Sequence, residues 1–226
     1  MGKKFELTDK FIINVFGIKL FQIKCTKSFK YAQKGDLGGY VEKEGNLDQE
    51  NDAWVYGNAQ VYGDAQVSGD AQVSGNARVY GDARVSGDAQ VSGNARVYGN
   101  VWVSGDARVS GDAQVSGNAW VYGNAQVYGD AQVSGNAWVY GNAQVYGDAN
   151  IKNNNEHCGF DGFGSCNRHT HAYLTKEKKV EITCGCFRGS IEEFEKKVEE
   201  THSGTIYEKQ YKAIINVIKI KFGLTD

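Results

Sequence analysis

A six-residue unit, Gly-(Asp/Asn)-Ala-X-Val-(Tyr/Ser), recurs without a break from Gly57 to Asn150 and, in the same phase, reaches back to Gly45-Asn46-Leu47. A short fixed period excludes most folds, because every unit must adopt one conformation and bury the same positions. In Ala59-Gln60-Val61-Tyr62-Gly63-Asp64 the Ala and Val alternate with polar or aromatic residues, as a short strand requires, and Gly-Asp or Gly-Asn supplies a turn. Ala and Val are therefore expected to face inward, and X and Tyr/Ser outward.

The unit resembles the hexapeptide repeat of left-handed parallel β-helices, in which three hexads close one triangular coil. A pentapeptide solenoid would need a period of five, which the spacing excludes. The resemblance implies that residue n lies under n+18, and coils ~4.8 Å apart would build about six turns and a column ~29 Å tall. One face then reads Gln66, Arg84, Trp102, Trp120, Trp138 beside Ser68, Ser86, Ser104, Tyr122, Tyr140. A second carries Tyr62, Tyr80 and Tyr98 beside Gln60, Arg78 and Arg96, and the third is polar through its middle. Stacked aromatics and Gln ladders strengthen contacts between coils. The row of indoles with Tyr122 and Tyr140 would also expose several hundred Å² of apolar surface, the size of a contact patch. Trp102, Trp120, Trp138, Tyr122, Tyr140, Arg84, Tyr62, Tyr80, Tyr98, Arg78 and Arg96 are the candidate binding residues.

At the turns, Asp52, Asp70, Asp88 and Asp106 form one column and Asp112, Asp130 and Asp148 another, read as solvated turn ladders. Calcium needs six to eight oxygens, more than each level offers. Residues 51–150 carry nine Asp against four Arg, a balance of -5. A DNA duplex of that height carries about 16 charges, so mimicry of nucleic acid is thin. The formal charge of -2 for the whole chain also gives no footprint for binding nucleic acid.

The 226 residues suffice for a solenoid with small caps. Residues 1–44 read as an N-terminal β cap, with strands around Ile18-Lys19-Leu20 and Phe21–Cys25 and a turn at Gly17; a cap is needed because an end coil exposes unpaired backbone and apolar interior. Residues 45–152 are the solenoid. After the polar joint Lys152-Asn153-Asn154-Asn155, residues 153–226 read as a ββαα module. In it a hairpin of Ala172–Thr175 and Val180–Thr183 precedes two helices that start at the capping patterns Ser190–Glu193 and Thr205–Glu208. The expected fold class is thus mainly β.

Catalytic groups are sparse. Hexapeptide acyltransferases use a His and an extruded loop, and related carbonic anhydrases hold a metal by His residues on the coils; residues 45–152 contain no His, no Cys and no insertion. In the C-terminal hairpin a four-residue loop would pair positions whose numbers sum to 355. That sets His171 opposite Cys184 and His169 opposite Cys186, four ligands on one face for a structural Zn²⁺. A one-residue slip would divide them. Cys158, Cys166 and His157 are further candidate ligands with no fixed geometry, and His202 reads as a packing or capping residue. The five Cys are an odd number, no apolar run approaches the ~20 residues of a membrane helix, and no secretory h-region follows Met1. These features lead to the expectation of a cytosolic protein with reduced thiols and no membrane partner.

Lys34-Gly35-Asp36-Leu37-Gly38-Gly39-Tyr40-Val41-Glu42 before the repeat, and Cys184-Gly185-Cys186-Phe187-Arg188-Gly189 with Glu193-Phe194, Val198 and Thr201-His202 after it, resemble uncharacterised proteins of bacteriophages and prophages. The resemblance implies residence in a host bacterial cytosol. It leads to the expectation of a non-enzymatic accessory protein whose aromatic face binds itself or a host component such as a defence factor. The alternatives are a nucleotide sponge stacking bases near Arg84, Arg78 or Arg96, and a degenerate transferase or metal-dependent enzyme.

Overall fold

A computed structural model describes residues 2–224; Met1 of the expected N-terminal cap and Thr225 and Asp226 of the expected C-terminal module lie outside the described residues. The chain is mainly β, and its repeat forms a parallel β-solenoid of about six turns. Each hexad contributes a short strand at X-Val, from β4 (Trp54–Val55) to β20 (Asn150–Ile151), and these strands stack into three sheets. Trp102 pairs with Trp120, Gln90 with Arg108 and Arg96 with Gln114, so n does lie against n+18 on every face. The Ala and Val columns are buried throughout. Two small apolar residues per hexad are all that a narrow triangular interior accommodates at native packing density.

The turns are closed by glycines of positive φ, such as Gly93 at +67°. A Cβ there would stand 2.9 Å from both the N and the O of Gly111 in the next coil, so the column demands glycine for space as well as for conformation. Beside it the amide of Asn76 donates to Asn94 Oδ1 (3.1 Å), and that of Asn94 donates to Asp112 Oδ1 (3.0 Å). A second ladder runs through Asn100, Asn118 and Asn136.

At the N-terminal end, β1 (Phe5–Ile13) and β2 (Lys19–Cys25) form an antiparallel hairpin. Strand β3 (Leu37–Val41) pairs antiparallel with β2 and parallel with the first rung, joining the hairpin to one solenoid sheet. The phase expected at Gly45-Asn46-Leu47 is corrected: Tyr40 pairs with Gln60 and Leu47 bridges to Val67, each twenty residues apart rather than eighteen. Trp54 already pairs with Gln72, eighteen residues on, so the two extra residues lie between Leu47 and Trp54; just before them a 3₁₀ turn at Glu44–Asn46 buries Asn46. Its amide donates to the carbonyls of Gly63 (3.0 Å) and Ala65 (2.8 Å), which no coil beneath would otherwise satisfy. Lys4 does the same for Asn51 and Ala53 (2.5 and 2.9 Å) while Trp54 is enclosed by Phe5 and Phe29.

The C-terminal module is four-stranded, not the expected two-stranded ββαα unit. Strands β21 (His157–Phe163), β22 (Arg168–Leu174), β23 (Val180–Cys184) and β24 (Phe187–Gly189) pair antiparallel in chain order, followed by α1 (Ile191–His202) and α2 (Ile206–Lys221). Glycine-rich β21 carries little strand propensity, and three-residue β24 is defined only by its pairing. The helices cover one side of this sheet with Ile191, Phe194, Val198, Tyr211, Ile214 and Ile218. Ser190 and Glu193 form the expected capping box; at the second helix Thr205 Oγ1 accepts from Glu208, whose own carboxylate takes the N–H of Gly204. The other side plugs the solenoid, with Tyr173 buried in its core.

Candidate functional site

Two aromatic columns follow from the eighteen-residue register. The rings of Trp102 and Trp120 lie 5.0 Å apart and 3° from parallel, and those of Trp120 and Trp138 lie 5.5 Å apart. Tyr122 and Tyr140 stack alongside at 5.5 Å. The three indoles are 41%, 38% and 45% exposed and Tyr140 is 54% exposed, forming a continuous apolar strip on one side of the rod. Arg84, one coil below, lays its guanidinium 5.2 Å from the Trp102 ring and extends the stack by a cation–π contact.

The second column, Tyr62, Tyr80 and Tyr98, stacks even more closely, at 4.9 and 5.0 Å. Its first member is not a free surface residue as expected. Tyr62 is 4% exposed, covered by Leu20 and Tyr40, and Phe16 at the hairpin tip lies against both Tyr62 and Tyr80. Arg78 and Arg96 pair on the same sheet, and Arg96 is exposed.

The four-ligand set His169, His171, Cys184 and Cys186 does not form. Thr175 and Lys179 close a three-residue loop, with Lys178 at φ +63°, so partners sum to 354. Thr170, not His171, stands opposite Cys184 and donates to its sulfur at 3.3 Å. The single-residue offset sends Cys184 toward Tyr211 under the helices and His171 toward the solenoid. His202 stacks on Tyr211, a packing role.

His171 instead joins residues that the sequence left without geometry. Between the last coil and β21–β22 lies a cavity of about 330 Å³, lined among others by Trp138, Tyr140, Asn154, His157, Asp161 and His169. His157 Nδ1 is 3.0 Å from His171 Nε2, and His169 Nδ1 is 2.7 Å from the Asp161 carboxylate. Burial pushes the imidazole of His157 down to about 4 and that of His171 down to about 3, so both rings are neutral at physiological pH. Gly159 makes room: a Cβ there would meet the His169 ring at 2.6 Å. Among the described residues no group of three or more His, Cys, Asp or Glu side chains is placed to hold a metal ion.

The same region satisfies the backbone of the final coil. Thr183 Oγ1 (3.0 Å) and His171 Nδ1 (3.3 Å) donate to the carbonyl of Gln144, the N–H of Tyr146 donates to the Tyr173 hydroxyl, and the N–H of Trp138 donates to Asn154 Oδ1. These groups would otherwise pair with a further coil. Among the described residues no helix is long and apolar enough to cross a membrane.

No curated protein matches this chain. A model of the bactofilin family, described as polymer-forming cytoskeletal, matches residues 65–167, less than half of the sequence. The matched segment holds all three stacked indoles and ends just past β21, and the polymer-forming cytoskeletal description is in keeping with a solenoid read as a scaffold.

Proposed function

We propose that the chain is a non-catalytic scaffold that associates side to side with further copies of itself through the indole face. The observation that carries this reading is the uncovered Trp102–Trp120–Trp138 stack on a rod whose two ends are both closed. End-on growth would require a bare coil edge, and here side chains of both caps occupy edge carbonyls and amides. Lateral contact needs no such edge. The strip is flat, uncharged apart from Arg84, and so self-complementary about a two-fold axis. Its rings offer ~400 Å², about half the ~800 Å² per partner of a standard interface, which favours reversible association. The polymer-forming description of the similar family supports the same reading.

A host component, such as a defence factor met by a phage-encoded protein, is the competing occupant of this face. Sedimentation velocity distinguishes the two. The native chain is expected to associate with rising concentration, and Trp120→Ser with Trp138→Ser to abolish this while leaving the circular-dichroism spectrum unchanged. A native chain that stays monomeric at every concentration overturns self-association and returns the face to a foreign partner.

A further inference from the structure

The indole column is finished differently at its two ends. Below Trp102 it is closed by Arg84, whose guanidinium lies 5.2 Å from the ring. At the other end Trp120 covers one face of Trp138 at 5.5 Å, and beyond the opposite face lies the cavity of about 330 Å³ between the last coil and the C-terminal sheet. That volume falls at the small end of ligand sites, which run from about 300 to 1,000 Å³. Tyr140 flanks the same space, stacked on Tyr122.

The polar wall of this cavity is rich in acceptors. Asp161 Oδ1 takes the N–H of His169 Nδ1 at 2.7 Å, while Oδ2 has no partner among the described residues, on a side chain 62% exposed. This carboxylate overhangs the last coil, because Oδ2 would stand 3.9 Å from a Cβ on Gly141, the residue after Tyr140. His171 Nδ1 donates to the Gln144 carbonyl, so Nε2 of that neutral ring is bare and the 3.0 Å contact is a bond from His157 Nδ1. His157, also neutral, is then bare at Nε2. That lone pair stands 3.4 Å from Asn154 Oδ1, which itself accepts the N–H of Trp138, so the two acceptors have no proton between them. An acceptor left without a donor in a half-closed space is costly. Among the described residues no Lys or Arg lines the cavity, and Lys221 is held on the Asn154 carbonyl at 3.3 Å.

We propose that this cavity binds a guanidinium cation, stacked on the free face of Trp138 beside Tyr140, with one edge donating to Asp161 Oδ2 and another to His157 Nε2 and Asn154 Oδ1. A guanidinium is flat, carries N–H donors around its rim and has weakly hydrated faces that lie well on aromatic rings. An ammonium cannot spread over an indole in this way, and a neutral ring leaves the carboxylate unanswered. An anion would meet the like charge of Asp161 with no lysine or arginine on the wall to offset it. The chain already makes one such contact in the same column, where Arg84 lies on Trp102, so the bound cation completes the stack at its other end. Two sources supply this chemistry: a small guanidino compound in solution, or an arginine side chain of another polypeptide. Arg84 of a second copy is the foremost of the latter, because it lies two coils below Trp120 and the cavity opens about as far above it, so rods paired antiparallel across their indole strips bring the two together. The site itself stands whether or not the rods associate.

Nuclear magnetic resonance of the full chain titrated with methylguanidinium chloride tests the site. The Trp138 indole N–H signal, identified by its loss in Trp138→Ser, is expected to shift saturably in the millimolar range, with a smaller response to tetramethylammonium chloride, which has no N–H, and none to sodium acetate. Asp161→Asn should weaken binding about tenfold through loss of a charge-assisted bond. The absence of a saturable shift overturns the site, as does a preference for acetate, or binding undiminished in an Asp161→Asn variant whose circular-dichroism spectrum is native. Sedimentation velocity separates the two sources. If Arg84 of a second copy fills the cavity, methylguanidinium and Arg84→Gln each dissociate the assembly; if a free compound fills it, association ignores both while the resonance shift persists. A native chain that is monomeric throughout breaks the self-association reading and leaves this site to be judged by the resonance shift alone.

Discussion

Two columns of stacked rings run along this rod with almost the same geometry and opposite surroundings. The tyrosine column begins under the N-terminal hairpin, where Phe16, Leu20 and Tyr40 cover it, whereas the indole column begins coils later, borders the C-terminal module only at Trp138 and stays more than a third exposed at every ring. The repeat sets ring spacing in both. What differs is the segment outside the repeat, so exposure here is a property of the caps, and a ladder of aromatics becomes a contact surface only where no cap reaches it. The same stacking energy serves as internal cement in one place and is left over for association in the other.

The largest expected effect that could break this comparison is thermodynamic. Tyr62→Ala removes a ring enclosed on all sides and should cost about 3 kcal/mol of unfolding free energy, whereas Trp120→Ala loses only exposed stacking and should cost about 1 kcal/mol. Urea denaturation of the two variants measures the difference, and equal costs would show that both columns are mere ladders. A smaller effect sharpens it through pH. Burial, reinforced by neighbouring Tyr80, pushes the Tyr62 phenol up to about 12. The folded state then keeps a proton that the unfolded state gives up from about 10, so stability is fully present below pH 10 and declines as pH rises toward 12. Tyr62→Phe should flatten that decline in alkaline unfolding curves. The smallest effect lies at the turns shared by both columns. Asn118→Ala interrupts one exposed amide ladder and should cost only about 0.5 kcal/mol; a much larger loss would mean that the turns, not the rings, hold adjacent coils together.

Where a physical constraint repeated, the sequence disclosed it. The three-face map, the indole row and the burial of Ala and Val all follow from one period, and any error in phase would have placed polar residues inside seventeen coil-forming strands at once. Single-copy features were harder to read. Asn46 occupies the Asn position of the repeat yet acts as a backbone cap, because the 3₁₀ turn that buries it has no periodic signature. The C-terminal register turned on whether the loop held three residues or four, a choice made by Lys178 entering the left-handed region, which lysine composition does not announce. That choice moved His171 from the proposed company of Cys184 to that of His157, and β21, written in glycines, hid the strand that completes the cluster.

Because the groups that seal both edges are encoded outside the periodic stretch, the number of coils is free to drift. Duplicating or deleting three hexads through unequal recombination would shift the rod's height by a single step while leaving its two lids and their fastenings intact. A lineage could thereby tune how many indoles it displays, and so how firmly neighbouring rods adhere, without inventing a new residue.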